Sequence, residues 1–191
     1  MKRIGLFGGS FDPVHLGHLL VAQAAREELG LTRVFFIPAA QSPFKPGACP
    51  ATPSLRTRML RLALADRPWC SLDDQEVRRG GISYTIDTVL DYAQRFPGTG
   101  LFCLIGADHL EQLPKWRDAG ELARLAQFAV IPRPGREGGP LPAPFRGRTL
   151  AGFPLALSSS QVRERVRQGL PIGELVPTAV AEVIRNNGLY L

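Results

Sequence analysis

The segment GGSFDPVHLGH, residues 8–18, carries two of the chain's three histidines, His15 and His18, on either side of Gly17. Gly8 and Gly9 follow a short apolar run, and they remove side chains where a backbone leaving a strand lets a ligand approach main-chain N–H groups. Asp12 and Pro13 suit a turn and the entry to a helix. Histidines at i and i+3 share one face of a first helical turn. The unpaired N–H groups and positive dipole end of that turn favour an anion, and two imidazole donors beside them make a phosphate site. The residues alone leave two other readings open. One is half of a metal site, although zinc takes three or four ligands and no further His or Cys is near; the other is a pair of histidines satisfying core polar groups. The glycine spacing matches neither the P-loop nor the dinucleotide fingerprint.

Elements that alternate between strand and helix must position this segment. RIGLFGG reads as a buried strand, HLGHLLVAQAAREELG as a helix stopped at Gly30, and RVFFIP as a second strand ended by Pro38. Residues 39–54 hold four prolines and no periodicity, so they read as a loop. LRTRMLRLALAD is a helix with Leu55, Met59, Leu62 and Ala63 as its apolar face, WCSLDDQEV a strand, and SYTIDTVLDYAQRF a helix opened by cap-type residues. LFCLIG and FAVIP are further strands, with the helix DAGELARLAQ between them. Residues 132–148 read as a Pro/Gly/Arg loop, FPLAL leads into the serine-capped helix SSSQVRERVRQG, and TAVAEVIRNNG closes the chain as a helix. The expectation is an α/β, Rossmann-like, doubly wound and mainly parallel sheet with helices on both faces, in a single domain 1–191. A small C-terminal helical part covers about 158–191. Ligands in such folds sit outside the carboxyl ends of the strands, which singles out loops 7–18, 38–46, 106–116 and 132–135.

Composition narrows the class. The chain has 191 residues, 45% hydrophobic and 21% charged, as expected of a soluble globular domain. Its net charge of +6 favours anionic partners, but only three of the 23 basic residues are lysines and no run of four occurs, which argues against a nucleic-acid footprint. Cys49, Cys70 and Cys103 show neither disulfide nor zinc spacing, pointing to a reducing compartment. No signal-peptide core and no apolar run long enough to cross a membrane is visible, so a cytoplasmic location without membrane association is expected.

GGSFDPVHLGH resembles the GxFDPxHxGH signature of the nucleotidylyltransferase superfamily. LSSSQVRERV, residues 157–166, is similar to its second signature, ISSTxIR, with Leu157 for Ile and Ser160 for Thr. Further matches at SYTIDT (83–88), IGADHLEQLPKW (105–116), RPG (133–135) and the C-terminal GLY make the bacterial nicotinate-nucleotide adenylyltransferases the nearest likeness, over essentially the whole chain. One departure is SPFKP, where relatives read Pro-Pro-His-Lys, so that Phe44 stands in place of a histidine.

The resemblance implies transfer of AMP from ATP to nicotinate mononucleotide, giving nicotinate adenine dinucleotide and pyrophosphate in NAD biosynthesis. Mg2+ would be carried mainly by the ATP phosphates, with no protein ligand named. His15, His18 and Arg163 are the implied catalytic residues. Gly8, Gly9, Ser10, Phe11, Gly106, Asp108, Ser158 and Ser159 join them as the ATP side. Lys45, Tyr84, Thr85, Asp108, Trp116 and Arg133 form the mononucleotide side. As residues alone, Arg163 also fits a solvated helix face, Asp108 a helix cap and Trp116 a core position. The competing readings are a sibling acting on nicotinamide mononucleotide or phosphopantetheine, and a nucleotide-binding regulator without turnover.

Overall fold

A computed structural model describes residues 1–43, 50–133, 135, 138–153 and 155–191. Six parallel strands, β1 (Arg3–Gly9), β2 (Arg33–Pro38), β3 (Cys70–Leu72), β4 (Gly100–Gly106), β5 (Gln127–Ile131) and β6 (Gly147–Thr149), form one sheet in the order β3-β2-β1-β4-β5-β6. The strand order reverses between β1 and β4, and in doubly wound sheets the ligand crevice opens there, at the carboxyl ends. Gly8 and Gly9 end one of these strands and Gly106 the other.

Strand alternation sends successive side chains to opposite faces of the sheet. Phe7, Val34, Phe36, Phe102 and Leu104 face a core built with helices α1 (Leu16–Leu29), α2 (Pro53–Leu64), α6 (Ser159–Arg167) and α7 (Thr178–Asn186). Ile4, Leu6, Phe35, Ile37, Leu101, Cys103 and Ile105 face the other, against α4 (Thr85–Arg95) and α5 (Ala119–Leu125). Both faces are therefore covered, as an all-parallel sheet requires.

Three local readings change. WCSLDDQEV is a strand only over Cys70–Leu72; Asp73 then accepts from the Gln75 N–H and α3 (Gln75–Arg79) begins. The segment 132–148 is not loop to its end, because Gly147 starts β6 and pairs with Phe128. A Cβ at Gly147 would lie 1.8 Å from the Phe128 carbonyl oxygen, so glycine alone permits that approach. In α2, Leu62 faces solvent and Arg56, 1% exposed, lies in the interior instead.

Candidate active site

His15 is the N-cap of α1 and His18 its third helical residue, the two positions of a capping box. His18 Nδ1 accepts from the His15 N–H at 3.2 Å, so its proton sits on Nε2 and that atom is the donor. His15 Nδ1 leans toward the His18 backbone without reaching a good hydrogen bond. The rings lie 3.8 Å apart, centroid to centroid. Burial pushes His15 down to about 4, with the Arg133 charge adding to the effect, so near neutral pH the ring is an uncharged donor rather than a cation. A Cβ at Gly17 would come within 3.0 Å of the His15 ring and 3.6 Å of the Leu157 carbonyl, which explains the glycine between the two histidines.

The glycines before them have different tasks. Among the described residues nothing lies within 4 Å of where a Gly8 Cβ would stand, whereas one at Gly9 would press on the Phe11 ring at 3.1 Å. Phe11 is buried with φ 48°, a left-handed conformation unusual for a bulky residue, and its ring meets Phe7 and His18 edge-on. Asp12 is buried as well. Its carboxylate accepts from the Tyr190 hydroxyl at 2.6 Å and from the Ala51 N–H at 3.3 Å.

The second motif folds onto the first across the whole chain length. Arg163 donates to the Asp12 carbonyl at 2.7 Å and to Ser160 Oγ at 3.2 Å, while its buried Nε has no partner among the described residues. Ser159 Oγ donates to the Pro13 carbonyl at 2.9 Å. Ser158 caps α6 in a capping box with Gln161. Its hydroxyl and that of Ser159 are thus engaged in capping and tethering. On the β4 side, Asp108 and Arg133 form an ion pair at 3.2 Å, folded over Gly106, where a Cβ would stand 2.3 Å from Asp108 Oδ1. Arg133 therefore sits with Asp108, close enough for its charge to act on His15.

A separate cleft of about 90 Å³ opens beside the start of α4, lined by Tyr84, Thr85, Ile86, Lys115 and Trp116 among others. Trp116 is half-buried: its ring packs against the core near Phe128, and the residue also lines the cleft. The helix N-terminus at Thr85 faces the same space, next to the 3-10 turn Ala107–Lys115. Lys45 and Phe44 lie outside the described residues. Sequence reasoning missed Arg56, Tyr190 and the carboxylate of Asp12. Arg56 sits on an amphipathic helix among other arginines, and no local pattern marks it as the buried one.

A parallel sheet in this order, with a helix N-terminus, two histidines and an arginine gathered at its reversal point, defines a nucleotide-binding α/β protein. Residues 6–165 match the family model described as cytidylyltransferase-like. The nicotinate-nucleotide adenylyltransferase of Bacillus subtilis is 41% identical over 190 residues, covering 100% of this chain and 99% of the relative. A Herpetosiphon aurantiacus relative, described as "Probable nicotinate-nucleotide adenylyltransferase", is 41% identical with 100% of both chains covered. A solved structure of the Plasmodium falciparum nicotinic acid mononucleotide adenylyltransferase, complexed with NaAD, superimposes with a TM-score of 0.80. It is 17% identical, and 100% of this chain and 98% of that chain are covered, so the likeness there is one of fold. The chain belongs to the nicotinate-nucleotide adenylyltransferases, within the cytidylyltransferase-like family.

Proposed function

We propose that the chain transfers the adenylyl group of ATP to nicotinate mononucleotide, releasing pyrophosphate and forming nicotinate adenine dinucleotide for NAD synthesis. The observation that carries this reading is the closure of the second motif on the first, through Arg163 on the Asp12 carbonyl and Ser159 on the Pro13 carbonyl. That closure gathers Arg163, His15 and His18 at one strand end. The acceptor phosphate is ionised near neutral pH and needs no base to activate it. Its oxygen attacks the α-phosphorus of ATP, a new P–O bond forms, and the bond to the bridging oxygen of the β-phosphate breaks as pyrophosphate leaves.

This chain's residues then have two tasks, alignment and neutralisation of charge. Neutral His15 and His18 donate to phosphate oxygens at the α1 N-terminus, and Arg163 grips the departing β and γ groups. In this reading Asp108, paired with Arg133, serves the adenosine side, and Gly8, with nothing among the described residues within 4 Å of where a Cβ would stand, leaves ATP room to approach the backbone. Tyr84, Thr85, Trp116 and Lys45 receive the mononucleotide, with the pyridine ring against the indole and its carboxylate on the N–H groups that open α4. Magnesium fits this site as a companion of ATP. Among the described residues no three His, Cys, Asp or Glu side chains converge, and the Asp12 carboxylate is already engaged by Tyr190 and Ala51. The ion would be held by phosphates and water and would offset their charge.

No helix among the described residues is long and apolar enough to cross a membrane, and Cys70 and Cys103 are free thiols, which supports a cytoplasmic enzyme. The test is pyrophosphate release from ATP and Mg2+ with nicotinate mononucleotide, nicotinamide mononucleotide and phosphopantetheine in parallel. Release chiefly with nicotinate mononucleotide is expected. Release with phosphopantetheine alone, or with none of the three, would overturn the reading.

A further inference from the structure

Arg56, the fourth residue of α2, is 1% exposed, and its guanidinium lies between the two loops that leave β1 and β2. Nη1 donates to the Ser10 carbonyl at 2.7 Å and Nη2 to the Ala39 carbonyl at 2.8 Å. Among the described residues no carboxylate pairs with it, and its buried Nε has no partner. A side chain there for packing alone would be better apolar, because an unpaired buried charge and an unsatisfied N–H both cost stability that methionine of similar volume would not.

We propose that Arg56 is a positioning residue of the adenylyl-transfer site, holding the Ser10 and Ala39 carbonyls inward so that the Phe11 N–H faces the phosphates of ATP. The geometry follows from the peptide group. The Ser10–Phe11 bond is trans, so its C=O and N–H point in opposite directions. Drawing the carbonyl toward the buried guanidinium turns the Phe11 N–H away from it. That N–H finds no backbone partner among the described residues. The same logic is visible in the second loop, where the Ala39 carbonyl goes to Arg56 while the opposite end of that peptide, the Ala40 N–H, donates to Ser83 Oγ at 3.0 Å. Phe11 needs such a restraint, since its left-handed φ of 48° is one a bulky residue leaves readily unless held. The planar fork matters as well as the charge. Two carbonyls on separate loops are fixed at once by a guanidinium, and a lysine ammonium on a flexible stem does not reproduce that.

This inference rests on the proposed reaction, which the pyrophosphate assay on the unmodified enzyme decides by itself; the variants below are read only against that activity. Arg56→Met and Arg56→Lys are compared with the unmodified chain for thermal unfolding, for kcat, for KM of ATP and of the mononucleotide, and for amide hydrogen exchange at residues 10–12 and 39–41. Loss of a preoriented donor predicts a fall in kcat/KM for ATP of about a hundredfold in Arg56→Met. KM for the mononucleotide should move much less, and faster exchange should be confined to the two loops. Arg56→Lys is expected to fold and to recover only a minor part of the activity. A lowered melting temperature with unchanged kinetics in folded Arg56→Met would overturn the proposal. So would full activity in Arg56→Lys, which decides the matter alone if Arg56→Met does not fold.

Discussion

Acidification should unfold this protein through His15. In the folded chain burial, with help from Arg133, holds the ring down at about 4, against an ordinary value of 6.5. Above the ordinary value the ring is neutral in both states and adds no pH dependence. As pH falls below it the unfolded chain takes up a proton that the folded chain refuses, so stability is lost progressively until the folded ring protonates too. A difference of about 2.5 pH units corresponds to about 3 kcal/mol in full, of which about 2 kcal/mol is lost between roughly pH 7 and roughly pH 5. The assay is urea unfolding at those two pH values for the unmodified chain and for His15→Asn. Asparagine is a good N-cap residue that does not titrate. Other groups, such as Glu76, whose carboxyl burial raises, titrate in both proteins and cancel. The unmodified chain should lose about 2 kcal/mol more than the variant on acidification. Equal losses would refute the claim that His15 is buried and neutral, and with it the assignment of His15 as an uncharged donor to phosphate.

Two further outcomes follow from the same geometry. Gly106→Ala places a Cβ 2.3 Å from Asp108 Oδ1 and 3.1 Å from Arg133 Nε, so the ion pair must swing aside. Because both partners are half-exposed, unfolding should change by less than about 1 kcal/mol while KM for ATP rises severalfold in steady-state kinetics. Tyr190→Phe removes the 2.6 Å donor to the buried Asp12 carboxylate and should cost about 1–3 kcal/mol in denaturant unfolding, an effect a solvated C-terminal residue would not produce.

The residues themselves determined a great deal. Apolar runs interrupted by glycine and helical periodicity between them gave the alternating α/β pattern and the sheet's parallel character, because a strand buried on both faces has to be apolar throughout. GGSFDPVHLGH and LSSSQVRERV were legible as motifs because their chemistry is local: a turn, a helix start, a hydroxyl cap. Tertiary structure decided what depends on distant partners. Whether Arg163 meets Asp12, whether the Tyr190 hydroxyl reaches the same aspartate, and which arginine of LRTRMLRLAL turns inward are matters of contacts between segments far apart in sequence. The short edge strand β6 was equally invisible, since three residues without apolar alternation pair only because Gly147 lets the chain lie against Phe128. His15 shows the division within one side chain. Its place at a helix mouth is written in the sequence, but its neutrality comes from the layers that bury it and from Arg133, which arrives from another strand end.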